Sequence, residues 1–155
     1  MFGRYSRIPL AAAMALLCGL SDSFAAEDDR PSDVAEAILQ ASGVQGGLVV
    51  HLNCGPGKIT AALCANDRYI VQGLSRDPQS IEAARKHIES TGLYGQASVR
   101  LWDGKQLPYG DNLVNLLVVG SLLSVDDAEI LRILRPGGVA IQLDPETRNL
   151  KPYAQ

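Results

Sequence analysis

Residues 48–57 read Leu-Val-Val-His-Leu-Asn-Cys-Gly-Pro-Gly, an apolar run that ends in a Gly-x-Gly turn, and a helix-like stretch, 58–66, follows at once. Val49, Val50 and Leu52 predict a buried strand. Gly55 and Gly57 permit a tight turn and let a ligand approach the backbone where a Cβ would block it. The helix that follows points its free N–H groups at whatever sits over the turn. Strand, glycine turn and helix in that order read as the nucleotide corner of a doubly wound α/β sheet.

The remaining chain alternates as such a sheet requires. A first helix runs through Gln40, capped by Ser32 and Asp33 with Glu36 completing a capping box, and Val34, Ile38 and Leu39 form its apolar stripe. The helix after the glycine turn faces inward through Ile59, Ala62 and Leu63. A second strand covers 69–74. Asp77 then caps a helix with Pro78 at its first position, Gly92 just past its end and Ile81, Ala84 and Ile88 inward. His87 belongs to that helix's solvated face. A third strand covers 97–101. Residues 113–119 are nearly all apolar, as a strand buried on both faces requires. Ser124 caps a last helix whose core face is Ile130, Leu131 and Leu134; Pro136-Gly137-Gly138 breaks it, and 139–143 is a fifth strand. Alternation throughout predicts a parallel sheet with right-handed crossovers.

The N-terminus stands apart. Arg4 and Arg7 precede an apolar stretch, 8–20, and Ser23-Phe24-Ala25 supplies the small residues of a cleavage site. This is the pattern of a secretory signal over residues 1–25, too short to span a bilayer, and no stable membrane span follows it. An exported protein, periplasmic or extracellular, is expected. Cleavage after Ala25 removes Arg4, Arg7 and Asp22, moving the net charge from −3 to −4. The mildly acidic remainder has no basic stripe with interleaved aromatics, which argues against a nucleic-acid surface. Residues 26–47 form an acidic linker and first helix, and 48–155 the main domain. Cys54 and Cys64 lie at opposite ends of one helix, too far apart for a disulfide.

Over roughly 48–143 the chain resembles a class I S-adenosylmethionine-dependent methyltransferase. Val-Val-His-Leu-Asn-Cys-Gly-Pro-Gly (49–57) looks like the family's first motif. Trp102-Asp103-Gly104 followed by Leu107-Pro108-Tyr109 looks like the segment that reaches the adenine, and Leu134-Arg135-Pro136-Gly137-Gly138 like the late proline-glycine-glycine motif. The fold implied is a Rossmann-like doubly wound parallel sheet of strand order 3-2-1-4-5. Gly92-Leu93-Tyr94-Gly95, Trp102-Asp103-Gly104 and 111–115 (Asp-Asn-Leu-Val-Asn) also resemble the methyltransferase-like segment of exported pyrroloquinoline-quinone-type β-propeller proteins, although no propeller follows.

The resemblance implies S-adenosylmethionine as cofactor, held by residues at His51, Asn53, Gly55, Gly57, Ser75, Asp77, Asp103 and Gly104. The family's acids are largely replaced. His51 stands for the acid two residues before the first motif glycine, Asn53 for that glycine, Ser75 for the acid that holds both ribose hydroxyls, and Asn115 for the acid that begins the fourth strand's motif. Only Asp103 keeps a carboxylate, placed to meet the adenine amino group. Asp77 is a further ribose candidate beside its capping role. His51 reads as a hydrogen-bonded histidine on a strand edge, with a catalytic base as the alternative. Only twelve residues follow Leu143, with Pro145 and Pro152 among them, too few for the family's C-terminal antiparallel hairpin. The fifth strand is then an exposed edge, which implies either a protein partner covering it or a fragment of a longer protein.

Three functions follow: a methyltransferase of unknown acceptor; a degenerate, non-catalytic module of an exported protein serving structure or interaction; and an NADP-binding oxidoreductase, since Ser75-Arg76 resembles a 2′-phosphate-selecting pattern. The second gains support from location, because S-adenosylmethionine is made in the cytosol.

Overall fold

The computed structural model describes residues 30–120, 125–144 and 146–153. The expected signal segment therefore lies outside the described residues, as does the expected cap Ser124. The elements are α1 (Pro31–Ser42), β1 (Gly47–Leu52), α2 (Lys58–Ala62), β2 (Tyr69–Ser75), α3 (Pro78–Ser90), β3 (Ala97–Leu101), β4 (Val114–Gly120), α4 (Asp127–Ile133), β5 (Leu134–Leu143) and β6 (Leu150–Pro152). They build one six-stranded sheet of order β3-β2-β1-β4-β5-β6. The first five strands are parallel, and the order 3-2-1-4-5 expected from the sequence is the one found.

Both sheet faces are covered, so neither shows polar alternation at the centre. On one face Val49, Val71, Leu116 and Val118 pack against Val34 and Ile38 of α1 and against Leu63. Beside them, Ala84 and Ile88 of α3 meet Ala61, Ala97 and Val99. On the other face Val50, Leu52, Leu74, Leu117 and Val119 meet Ile130 and Ile133 of α4 with Trp102 and Leu107. The layers are thus α1–α2–α3, sheet, and α4 with the loop after β3.

One expectation is overturned. A C-terminal antiparallel strand is present: β6 pairs Leu150 with Leu143, Lys151 with Gln142 and Pro152 with Ile141. Twelve residues suffice because the Asp144 carboxylate accepts the amides of Glu146 and Thr147 and turns the chain at once. Pro152, lacking an N–H, is tolerated on an edge strand. The edge the sheet presents on this side is therefore β6 along Ile141–Leu143, rather than bare β5.

Local details differ too. α1 starts at Pro31 after Arg30 with no side-chain cap, and Glu36 accepts from Gln40 rather than closing a capping box. Pro31 at the first helical position puts Asp33 inside the first turn, where it cannot cap. α2 is one turn and ends at Ala62, with Thr60 and Ala61 buried. α4 is capped by Asp126, and its buried residues are Ile130 and Ile133, while Leu131 is 58% exposed and Leu134 has already entered β5. Pro136-Gly137-Gly138 does not separate helix from strand. It bulges within β5, whose register against β4 jumps from Val114↔Leu134 to Leu116↔Val139. A Cβ on Gly138 would lie 2.9 Å from the carbonyl oxygens of Val114 and Arg135. Among the described residues no helix is long and apolar enough to cross a membrane.

Candidate functional site

All five parallel strands end on one edge, and the sheet order reverses direction between β1 and β4, the position where α/β sheets open a crevice. Four chain segments meet there: the turn after β1, the Ser75-Arg76-Asp77 turn, the start of the loop after β3, and Gly120. Backbone hydrogen bonds tie the first three together. Cys54 N–H donates to the Leu74 carbonyl at 3.1 Å, and Trp102 N–H to the Ser75 carbonyl at 2.9 Å. Gly57 N–H closes the glycine turn on the Cys54 carbonyl at 3.1 Å.

Asn53, Gly55 and Gly57 all have left-handed backbone, with φ of 57°, 51° and 77°. Asparagine is among the non-glycine residues that visit this region most readily, so Asn53 can stand at a family glycine without reshaping the turn. The two glycines turn out to serve different ends. A Cβ on Gly55 would meet no atom within 4 Å, which leaves that backbone open to a ligand. A Cβ on Gly57 would lie 2.7 Å from the Ala84 Cβ, so Gly57 is there to let α3 pack against the turn. Of the pair, only Gly55 is placed as the ligand-approach reading of the sequence requires.

His51 lies on β1 between β2 and β4, in the sheet centre rather than on a strand edge. The residue is 3% exposed and its Nδ1 stands 3.0 Å from Thr60 Oγ1 on α2. Burial pushes the imidazole down to about 4. The Thr60 hydroxyl also hydrogen-bonds the Cys54 thiol, which burial pushes up to about 11, so neither side chain is charged at neutral pH. Cys54 in turn fills the space above Gly73, where a Cβ would come within 2.9 Å of Cys54 Sγ. Among the described residues both cysteines, Cys54 and Cys64, are free thiols.

Ser75 ends β2, 1% exposed, and its hydroxyl accepts the Asp77 N–H at 3.2 Å. The Asp77 carboxylate caps α3, accepting from the Ser80 hydroxyl at 2.6 Å and from the amides of Gln79 and Ser80. Those bonds, the Ser80 hydroxyl first, hold its carboxyl below the usual range. Asp103 is exposed beyond the end of β3; its Oδ1 accepts the Lys105 N–H at 3.0 Å. Gly104, φ +84°, carries the Arg76 guanidinium against its Cα: a Cβ there would lie 2.6 Å from Arg76 Nε. Asn115 belongs elsewhere. Its Oδ1 accepts the Leu48 N–H at 3.1 Å over Gly47, at the opposite end of the sheet.

The edge therefore gathers Asn53, Gly55, Ser75, Asp77, Asp103 and Gly104. It sets His51 beneath α2 and Gly57 beneath α3. The packing of Arg76 on Gly104 and of Cys54 over Gly73 carried no sequence signal, since each depends on a neighbour distant along the chain, and the Thr60–His51 contact depends on how α2 folds back over β1. Among the described residues no group of three or more His, Cys, Asp or Glu is placed to hold a metal. An open cavity of about 650 Å³ lies away from this edge, between α1 and the start of β2, lined in part by Leu39, Val44, Ala62 and Tyr69.

The family profile described as a methyltransferase domain matches residues 49–138. A ubiquinone/menaquinone biosynthesis C-methyltransferase from Desulfotalea psychrophila is 31% identical over 76% of this chain and 50% of its own length. The chain spans about half the length of the curated relatives it matches. Among solved structures, a Methanococcus maripaludis protein assigned to the S-adenosyl-L-methionine-dependent methyltransferases superposes with a TM-score of 0.65 at 27% identity, over 73% of this chain and 54% of that one. Geranyl diphosphate C-methyltransferase from Streptomyces coelicolor A3(2), whose structure holds S-adenosyl-L-homocysteine, superposes with a TM-score of 0.65 at 19% identity, over 72% and 44%; at that identity the likeness is one of fold.

Proposed function

The chain belongs to the class I S-adenosylmethionine-dependent methyltransferase family, and on that premise we propose that it binds S-adenosylmethionine along the edge formed by the ends of β1, β2 and β3 and transfers the methyl group to an acceptor approaching beside Gly120. The donor supplies an already activated methyl group, so the chain's task is to hold donor and nucleophile in line. Gly55 leaves its backbone bare to the methionine end. Ser75, with Asp77 beside it, meets the ribose, and Asp103 with Gly104 meets the adenine. The observation that carries this reading is the left-handed Gly55, open on its Cβ side, on the same edge as Ser75 and Asp103. The acceptor is not identified by these residues.

A second reading is a domain of this family that no longer transfers methyl groups. It is favoured by the ribose position: no carboxylate ends β2, the Ser75 hydroxyl serves the Asp77 amide, and Asp77 serves the α3 cap. A hydroxyl in place of a carboxylate loses charge-assisted, bidentate bonding, about 1–3 kcal/mol. Calorimetric titration with S-adenosylmethionine and S-adenosylhomocysteine separates the two. Binding at about 100 μM or tighter, roughly −5.5 kcal/mol, measurably weakened in Asp103→Ala, supports the donor site. Absence of heat at millimolar ligand from a folded chain leaves the second reading.

Export is proposed on the pattern of residues 1–25. Expressed in a bacterium with an envelope, the chain should reach the periplasm with Ala26 as its first residue, which intact mass reads directly. A cytosolic chain that retains Met1 refutes export.

A further inference from the structure

Asp103 and Gly104 sit on a loop, residues 102–113, that runs outside the strand ladders, so its position depends on separate anchors. One anchor is Trp102: its N–H donates to the Ser75 carbonyl at 2.9 Å, and its indole N–H to the Gln106 carbonyl at 2.8 Å. The other is α4. Arg132 directs every guanidinium N–H at a defined acceptor. Nε donates to Glu129 Oε2 at 2.9 Å, and Nη2 to Glu129 Oε1 at 2.7 Å and the Leu107 carbonyl at 3.3 Å. Nη1 donates to the Tyr109 carbonyl at 2.9 Å and Asp111 Oδ1 at 2.7 Å. Glu129 Oε1 accepts the Leu107 N–H at 2.8 Å, so the pair grips that residue by both its amide and its carbonyl. The Asn112 and Leu113 amides then bond to the carbonyls of Arg132 and Ile133, each at 2.9 Å.

Charge-assisted, forked bonds of this kind specify geometry as well as energy. The two side chains are 26% and 16% exposed, so solvent screens them only in part. Ile130 and Ile133 already seat α4 on the sheet through apolar contact. The Glu129–Arg132 network is aimed instead at the loop's backbone, and it leaves only 103–106 between the Trp102 anchor and Leu107.

We infer that Arg132, aligned by Glu129, is a positioning residue for the nucleoside end of the ligand: by fixing Leu107 it sets where the Asp103 carboxylate presents itself at the β2–β3 edge. The inference rests on the S-adenosylmethionine reading given above. It makes α4, which contributes no residue to the edge itself, a determinant of affinity there.

A double-mutant cycle tests it. S-adenosylhomocysteine is titrated calorimetrically into the wild type, Arg132→Lys, Asp103→Ala and the double variant, with thermal melts confirming that each is folded. Lysine keeps the charge and loses the fork. The expected result is affinity weakened about tenfold or more by Arg132→Lys, with no further loss when it is added to Asp103→Ala. An Arg132→Lys chain that binds like the wild type overturns the inference even if its melting temperature falls, because a merely structural role moves only the melt. Losses that simply add overturn it as well, since Arg132 would then act other than through Asp103. If Arg132→Lys does not fold, Glu129→Gln, which keeps shape and loses the charge, takes its place in the cycle. A wild-type chain that binds no S-adenosylhomocysteine is a different result: it removes the donor reading on which the inference stands.

Discussion

Alanine at Gly57 should act mainly on stability and alanine at Gly55 mainly on ligand affinity, although both positions belong to one turn and both require a left-handed backbone. At Gly57 the new methyl would stand 2.7 Å from the Ala84 Cβ and 3.0 Å from its Cα, so α3 must shift bodily. Overpacking of that kind costs about 1–3 kcal/mol, and the left-handed conformation adds about 1–2 kcal/mol for a residue with a Cβ. The sum, about 2–5 kcal/mol, is a large share of the 5–15 kcal/mol typical of a whole domain. At Gly55 nothing lies within 4 Å, so only the conformational cost of about 1–2 kcal/mol applies. Urea unfolding of the two variants and the wild type, followed by circular dichroism, reads the difference. Gly57→Ala should lose about 1–3 kcal/mol more stability than Gly55→Ala loses. Titration with S-adenosylhomocysteine should then show the larger affinity loss in Gly55→Ala, whose methyl enters the space left for the ligand. Equal stabilities would refute the packing argument for Gly57, and unchanged affinity in Gly55→Ala would refute the placement of the ligand over this turn.

Two further outcomes follow from the same edge. Ser75→Asp restores a carboxylate at the end of β2 and should tighten S-adenosylhomocysteine binding by about 1–3 kcal/mol, roughly 5- to 150-fold in Kd; unchanged affinity means that this position does not face the ribose. Burial holds the folded His51 near 4 against about 6.5 unfolded, so the unfolded chain takes up a proton that the folded one refuses. The stability His51 contributes is therefore complete above pH 6.5 and is lost as pH falls toward 4, by on the order of 3 kcal/mol. Urea midpoints at several pH values should fall less steeply across that window in His51→Asn than in the wild type, and parallel curves would refute the assignment.

Much of the architecture was legible because it is written locally. The apolar runs 48–52 and 113–119 mark strands buried on both faces, and Asp77-Pro78 marks a helix start through one carboxylate and one ring. Misreadings arose where two local signals competed. Ser32 and Asp33 look like caps, but Pro31 begins the helix ahead of them and draws both inside. Leu131 and Leu134 fit an inward face only if α4 continues past Ile133, and it ends there because Leu134 pairs with Val114. β6 was invisible because three residues ending in a proline have no strand pattern of their own; pairing with Ile141–Leu143 is what makes them a strand.

The candidate site divides along the same line. Residue order places Gly55, Ser75 and Asp103 at the ends of successive strands, and parallel winding brings strand ends to one edge. That much needs only the alternation of apolar runs, caps and glycines, each a property of a few neighbouring residues. What Ala84 does to Gly57, Cys54 to Gly73, Arg76 to Gly104 and Arg132 to Leu107 depends on side chains that meet across different strands and helices. Sterics and hydrogen bonding act on distance in space, so those roles were decided only when the sheet closed and α3 and α4 came down on it.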